Sequence, residues 1–249
     1  MGRRTRRKRR NNRGRFAVLY RLLAFVVICG AIVAALALFF KVQHFEVEGS
    51  TRYTQEEVVA ASGLNVGDNL FLMDKYEVAN RIRSALNYVE TVRITRELPS
   101  TLHIAITECR FTVAVEQDGE LWLVSGNGKI VDTVAPGTES HAMITGLDLL
   151  DPQVGQNIRS ENENACSVLL ELLGLLRDKD MLGDVQAIHL EDAAQITMRY
   201  LDRFTVQLPW NADLDYKLNY LLAVVDRLED NETGTINMMQ DHKVNFVPG

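Results

Sequence analysis

Leu22–Phe40 is a run of nineteen residues without a charged or strongly polar side chain, and it constrains this chain more than any other feature. As a helix it would be about 28 Å long, close to the roughly 30 Å hydrocarbon core of a bilayer. Arg21 and Lys41 bracket it. The expected structure is an uncleaved membrane anchor. A cleaved signal peptide is the competing reading, since Ala35-Leu36-Ala37 offers a small-residue site. The long basic stretch in front, and apolar residues that continue to Phe40, weigh against cleavage.

Charge is divided at the same place. Residues 1–21 carry ten Lys or Arg and no acid, leaving 17 of the 27 basic side chains against all 33 acids. A tail of +10 therefore precedes a remainder of −16, and the two parts are expected to meet different surroundings. The positive-inside rule keeps Arg3, Arg4, Arg6, Arg7, Lys8, Arg9 and Arg10 in the cytoplasm and sends residues 41–249 across the membrane. Next to a span, such a cluster suits anionic lipid head groups. No nucleic-acid partner is expected. The 47% hydrophobic content is that of a folded protein. Cys109 and Cys166, outside the span, do not by themselves argue for a disulfide.

After the span, Phe45-Glu46-Val47-Glu48 alternates as a half-buried strand ended by Gly49-Ser50. Thr54 and Glu57 form a capping box for a short helix closed by Gly63. Asp74 caps a second helix with Val78, Ile82, Ala85 and Leu86 on one face. Val89–Thr95 and the alternating Leu102, Ile104 and Ile106 are strands about a Pro99-Ser100 turn. The order is β-α-α-β-β.

That order resembles the POTRA domain of the FtsQ/DivIB family of bacterial cell-division proteins. It is carried by Phe45-Glu46-Val47-Glu48-Gly49-Ser50, Ser62-Gly63, Gly67-Asp68-Asn69-Leu70 with Asp74, Val89-Glu90-Thr91-Val92 and Glu97-Leu98-Pro99-Ser100-Thr101-Leu102. Here Glu108 is followed by Cys109-Arg110-Phe111, without the proline common in the family, and Ser125-Gly126-Asn127-Gly128 stands where an aspartate commonly precedes the turn.

Residues 110–249 look like the family's second, β-rich domain. Thr112–Val115 and Leu121–Val124 flank an Asp118-Gly119 hairpin turn, and Asn127-Gly128 precedes Ile130-Val131. Ser160 and Glu163 read as the capping box of an amphipathic helix with Ala165, Val168, Leu169, Leu172, Leu173 and Leu176 inward. Gln186–Leu190, Gln195–Tyr200 and Phe204–Leu208 read as strands, and a second helix carries Leu214, Leu218, Leu221, Leu222, Val225 and Leu228. Thr235–Met239 and Val244–Val247 close the chain as strands. The fold class is α+β: a basic tail (1–21), a transmembrane helix (22–40), a POTRA-like domain (41–109) and the β-rich domain with two amphipathic helices (110–249).

No catalytic constellation stands out. The five histidines are scattered, Gly126-Asn127-Gly128-Lys129 lacks the length of a P-loop, and no Gly-x-Ser-x-Gly occurs. Neither an enzyme nor a cofactor or metal site is expected. The resemblance implies a single-pass division protein at the septum that binds other proteins. The partners it implies are the single-span FtsL and FtsB (DivIC) and the septal peptidoglycan synthase. A POTRA-type chaperone module is the alternative, but it calls for tandem POTRA units or a series of barrel strands. The expected partner site is Thr235, Ile236, Asn237, Met238 and Met239 as a sheet edge, with Val244 and Phe246 beyond. If Val244–Val247 pairs with that strand, the edge moves to Val244–Val247. Asn237 stands where an aspartate is usual in the family.

Overall fold

The computed structural model describes residues 13–137, 141–240 and 243–249. Arg3, Arg4, Arg6, Arg7, Lys8, Arg9 and Arg10 lie outside the described residues. The apolar run is helical, within α1 (Arg13–Phe39). Described side chains of α1 run unbroken only from Tyr20 to Leu36, and among the described residues no helix is long and apolar enough to cross a membrane. The expected helix over the apolar run is thus present.

The next segment has the expected order. β1 (His44–Glu48), α2 (Gln55–Ser62), α3 (Lys75–Ala85), β2 (Val89–Glu97) and β3 (Thr101–Glu108) form a sheet ordered β1-β3-β2 under two helices. The helical crossover makes β1 parallel to β3, while the short turn makes β2 antiparallel to it. The Thr54–Glu57 capping box forms, and Gly63 ends α2 in the left-handed conformation. Asp74 accepts from the Tyr76 and Glu77 N–H groups at the start of α3. Val58, Leu70, Val78, Ile82, Leu102 and Ile104 fill the core. Ala85 is exposed, because the α3 stripe continues instead through Leu86.

The remaining strands are β4 (Thr112–Gln117), β5 (Glu120–Ser125), β6 (Ile130–Val134), β7 (Ala142–Thr145), β8 (Val185–His189), β9 (Gln195–Tyr200), β10 (Phe204–Pro209), β11 (Gly234–Gln240) and β12 (Lys243–Pro248). They make one nine-stranded sheet ordered β12-β11-β10-β9-β8-β7-β4-β5-β6. α4 (Glu163–Asp178) joins the parallel pair β7 and β8, and α5 (Leu214–Val225) joins the parallel pair β10 and β11. Both helices bury most of their leucines in a single core with Ile144, Ile188, Met198 and Val206. Asn162, not Ser160, caps α4, with its side chain accepting from Ala165 N–H. The Ser160 hydroxyl accepts from Asn162 N–H, one step ahead of the helix. On α5, Leu222 is exposed and the inward face holds Lys217 instead. Cys29, Cys109 and Cys166 are free thiols.

Side-chain contacts join the two sheets, and the Tyr88 ring packs against Ala114, Leu121, Leu123 and Val131. The Tyr88 hydroxyl donates to Asp132 Oδ2 at 3.1 Å, with the Arg52 guanidinium 3.8 Å over its ring. Burial, and then Asp132, push the Tyr88 hydroxyl up to about 12. Lys129 Nζ donates to the Arg83 carbonyl at 2.6 Å.

Glu108 ends β3 and ties down the β1–α2 turn. Its carboxylate accepts from Ser50 Oγ (2.9 Å), Thr51 Oγ1 (2.6 Å) and the N–H groups of Thr51 and Arg52 (3.1 Å each). Burial opposes its ionisation, but the hydrogen bonds from Thr51, Arg52 and Ser50 outweigh burial and hold this carboxyl below the usual range. A folded-state value below the unfolded one gives stability that is present above the ordinary carboxylate pKa and lost as pH falls through the lower one. Glu108→Gln is expected to cost about 1–2 kcal/mol at neutral pH in urea unfolding. The gap to the parent should narrow on acidification below about pH 4.

Candidate partner-binding edge

A sheet offers strand pairing only where an edge is uncovered, so each edge must be accounted for. In the three-stranded sheet, helix side chains reach both outer strands. Gln55 Nε2 donates to the Phe45 carbonyl (3.0 Å) and Lys75 Nζ to the Ile94 carbonyl (2.9 Å). In the nine-stranded sheet, β6 is blunted where it begins. Ile130 donates to the Gln156 carbonyl and accepts from Gly155 N–H, both at 2.8 Å. The other edge is β12, and among the described residues no strand lies beyond it.

Register fixes which β12 groups face outward. β12 pairs antiparallel with β11 through Thr235↔Val247, Ile236↔Phe246 and Asn237↔Asn245. Gly249 N–H donates to the Thr233 carbonyl at 2.9 Å, which makes that opposed pair hydrogen-bonded. Antiparallel pairs alternate, so Val247 and Asn245 also point into β11. Val244 and Phe246 therefore turn their N–H and C=O groups away from the sheet. Pro248 offers a carbonyl only, so it closes the edge at that end.

Of the two arrangements the sequence left open, the second is present: Val244–Val247 pairs with Thr235–Met239, and the edge moves to it. β11 is not the edge: it lies between β10 and β12, and Ile236 and Met238 are fully buried. Thr235, Asn237 and Met239 are half-buried on the opposite face, where Asn237 Nδ2 donates to Gln207 Oε1 at 2.8 Å. Val244 and Phe246 are on the edge strand itself. Both pack against the helix-side core, with the Phe246 ring edge-on to Phe204 at 6.1 Å.

Two residues that the sequence reading passed over hold this edge in place. The Lys217 ammonium on α5 is 3% exposed and donates to the carbonyls of Met238 and Gln240, each at 2.8 Å. Those carbonyls flank the irregularity between Asn237 and Gln240, where the β11–β12 register shifts. The signal was the spacing: Lys217 shares the inward stripe of Leu214, Leu218 and Leu221. Gly234 has φ +150°, and a Cβ there would lie 2.2 Å from the Val247 carbonyl oxygen. Only glycine lets β12 close on β11 at that point.

α5 also walls the edge. Its Asp215 and Asn219 face α4 by binding Lys179 Nζ, each at 2.7 Å. Tyr216 and Tyr220, stacked at 6.1 Å, occupy the opposite flank and are exposed. A strand laid along β12 would meet main-chain groups on one side and apolar side chains on the other.

A cleft of about 580 Å³ lies elsewhere, beside Arg52, Tyr88, Cys109 and Asp132. Burial, then Glu90, push the Cys109 thiol there up to about 12, far from the thiolate a nucleophile needs. Among the described residues no three His, Cys, Asp or Glu side chains gather as metal ligands.

Comparison with known proteins matches both sheets. The model of the FtsQ-type POTRA domain covers residues 40–108. The model of the cell division protein FtsQ/DivIB C-terminal region covers residues 113–239, just over half of the chain. The chain belongs to the FtsQ/DivIB family. Cell division protein DivIB of Clostridium botulinum is 22% identical over 193 residues, 77% of this chain and 74% of that protein. Cell division protein FtsQ of Corynebacterium glutamicum is 27% identical over 73% of this chain and 78% of its own length. FtsQ of Anaeromyxobacter is 26% identical over 90% of this chain and 76% of that protein. A solved extracytoplasmic domain of DivIB from Geobacillus stearothermophilus aligns with 50% of this chain and 98% of its own, at 16% identity and a TM-score of 0.30. FtsQ/DivIB is a family of cell-division proteins and not a known family of enzymes. The C-terminal match ends within β11, so the β12 edge lies just beyond it.

Lys217→Met removes the ammonium that donates to the Met238 and Gln240 carbonyls. It is expected to cost about 1–3 kcal/mol in urea unfolding, because buried carbonyls lose their partner. Amide exchange in Lys243–Pro248 should quicken more than exchange in β9.

Proposed function

We propose that this chain is a bitopic scaffold of the bacterial division machinery, working at the septum by binding other proteins. Residues 1–21 form a basic cytoplasmic tail against anionic lipid head groups, 22–40 the membrane anchor, 41–109 the POTRA-type domain and 110–249 the partner-binding domain. Family membership supports the division role. What supports the anchor is the apolar run itself: Leu22, Leu23, Phe25, Val26, Val27, Ile28, Ile32 and Val33 are all exposed, and only an apolar environment covers such a helix at no cost.

The open edge of β12 carries the binding proposal. A partner segment adds there as a further strand, bonding to the outward N–H and C=O groups of Val244 and Phe246 and placing alternate apolar side chains beside Tyr216 and Tyr220. FtsL- and FtsB(DivIC)-type single-span proteins are the partners of that chemistry, with the septal peptidoglycan synthase held in the same assembly. Tethering all of them to one membrane raises each later contact through effective concentration.

Val244→Pro tests this reading, because it deletes an outward N–H and leaves the hydrogen bonds of Asn245 and Val247 to β11 in place. The full-length variant should still fractionate with membranes and unfold cooperatively. Its recovery of FtsB/FtsL-type partners in detergent pull-downs should fall about tenfold. Undiminished recovery would move the contact elsewhere, with the POTRA-type domain the next surface to test.

A further inference from the structure

The last turn of α1 is clasped by the loop between α2 and α3. Asn69 Nδ2 donates to the Leu36 carbonyl at 3.0 Å, while Asn69 Oδ1 accepts from the N–H groups of Phe71 (2.8 Å) and Leu72 (3.2 Å). One side-chain amide therefore ties the helix end to the turn that carries Phe71 and Leu72. Main-chain bonds run beside it: Val42 N–H to Asp68, Leu70 N–H to Phe40 and Gly67 N–H to Val42, at 2.8, 2.9 and 2.8 Å. The Phe40 and Phe71 rings meet edge to face at 5.1 Å. With this many ties the loop cannot swing away from the helix.

The clasp buries Leu70 completely, and Leu64 and Met73 pack against the same core, but four apolar side chains at and beside it turn outward. Leu72 is 81% exposed and Tyr76 84%, and Val66 and Phe71 are exposed as well. Leu98 is also exposed, on the β2–β3 turn, and Ser100 of that turn accepts from Gln43 N–H at the same junction. Cations accompany them. Lys41 follows α1, Lys75 opens α3, and the Arg96 guanidinium lies 5.8 Å over Phe71 while donating to the Met73 carbonyl. Of the nearby acids, Asp68 accepts from Asn65 N–H and Asp74 caps α3, while Glu97 beside Leu98 is exposed.

We infer that Val66, Phe71, Leu72, Tyr76 and Leu98 form a lipid-interface platform at the foot of α1. Phe71 and Leu72 enter the boundary between head groups and acyl chains, Tyr76 sits at head-group level, and the exposed Lys41 faces the lipid phosphates. This rests on the proposed anchor, which brings the end of α1 to the membrane surface. Because the loop is bonded to that end, the platform fixes how the first sheet stands on the bilayer and hence where β12 points.

The test places a single tryptophan at position 72 of the full chain, as Leu72→Trp with Trp122→Phe and Trp210→Phe. The protein is reconstituted in vesicles of phosphatidylcholine and phosphatidylglycerol whose acyl chains are brominated near the carbonyl end. Emission should fall about twofold, with a blue shift. A control chain with Phe25→Trp in the same background reports on the anchor, using bromines deep in the acyl chain. Quenching at 25 without quenching at 72 overturns the platform and leaves the anchor intact. Quenching at neither overturns both. In the otherwise native chain, a photoreactive benzoylphenylalanine at position 72 should yield adducts of phospholipid mass. Adducts to protein alone would assign the patch to another polypeptide and overturn the inference.

Discussion

The open β12 edge depends on one buried ammonium. Lys217 gives up its hydration to donate to the Met238 and Gln240 carbonyls, and among the described residues no carboxylate pairs with it. Its hydrogen bonds offset part of that cost and hold the strand end in place. Here they pin the end of β11, at the irregularity from which β12 turns back. Gly234 does the complementary work at the other end, letting the Val247 carbonyl approach as no side chain would allow. Between these two points, β12 is held flat against β11 with its other edge bare.

That bareness is selective. Gln55 and Lys75 cap carbonyls on the outer strands of the small sheet, and Gly155 and Gln156 occupy Ile130 on β6. Pro248 blocks the far end of β12 itself. On β12 the outward groups of Val244 and Phe246 form a short window, too short to template aggregation. For a member of the FtsQ/DivIB family, this is the physical form a scaffold's contact would take.

Much of the fold was legible because its determinants are local. The Thr54–Glu57 box, the Asp74 cap and the Asp118-Gly119 turn are each decided within four residues, and all three form. Ser160 with Glu163 carried the same pattern but lost to Asn162, whose shorter reach to Ala165 N–H starts the helix two residues later. β7 was missed because Ala142–Thr145 is a four-residue strand with parallel neighbours on both sides, where burial does not alternate. Which of the two last strands is the edge stayed open for a related reason. The polar Thr235 and Asn237 report one face of β11 and say nothing about what pairs beside it. Lys217 escaped notice because a lysine reads as solvated until the carbonyls it reaches, more than twenty residues away, are known.

Hydrogen exchange of the β12 amides measures the central claim directly. In the free full-length protein, the outward N–H groups of Val244 and Phe246 should exchange fast, while those of Asn245 and Val247, bonded into β11, exchange slowly. On addition of the FtsB/FtsL-type partner, Val244 and Phe246 should become protected in the same alternating register. Stable binding that left these two amides as fast as before, with protection appearing on other strands, would contradict strand addition at this edge.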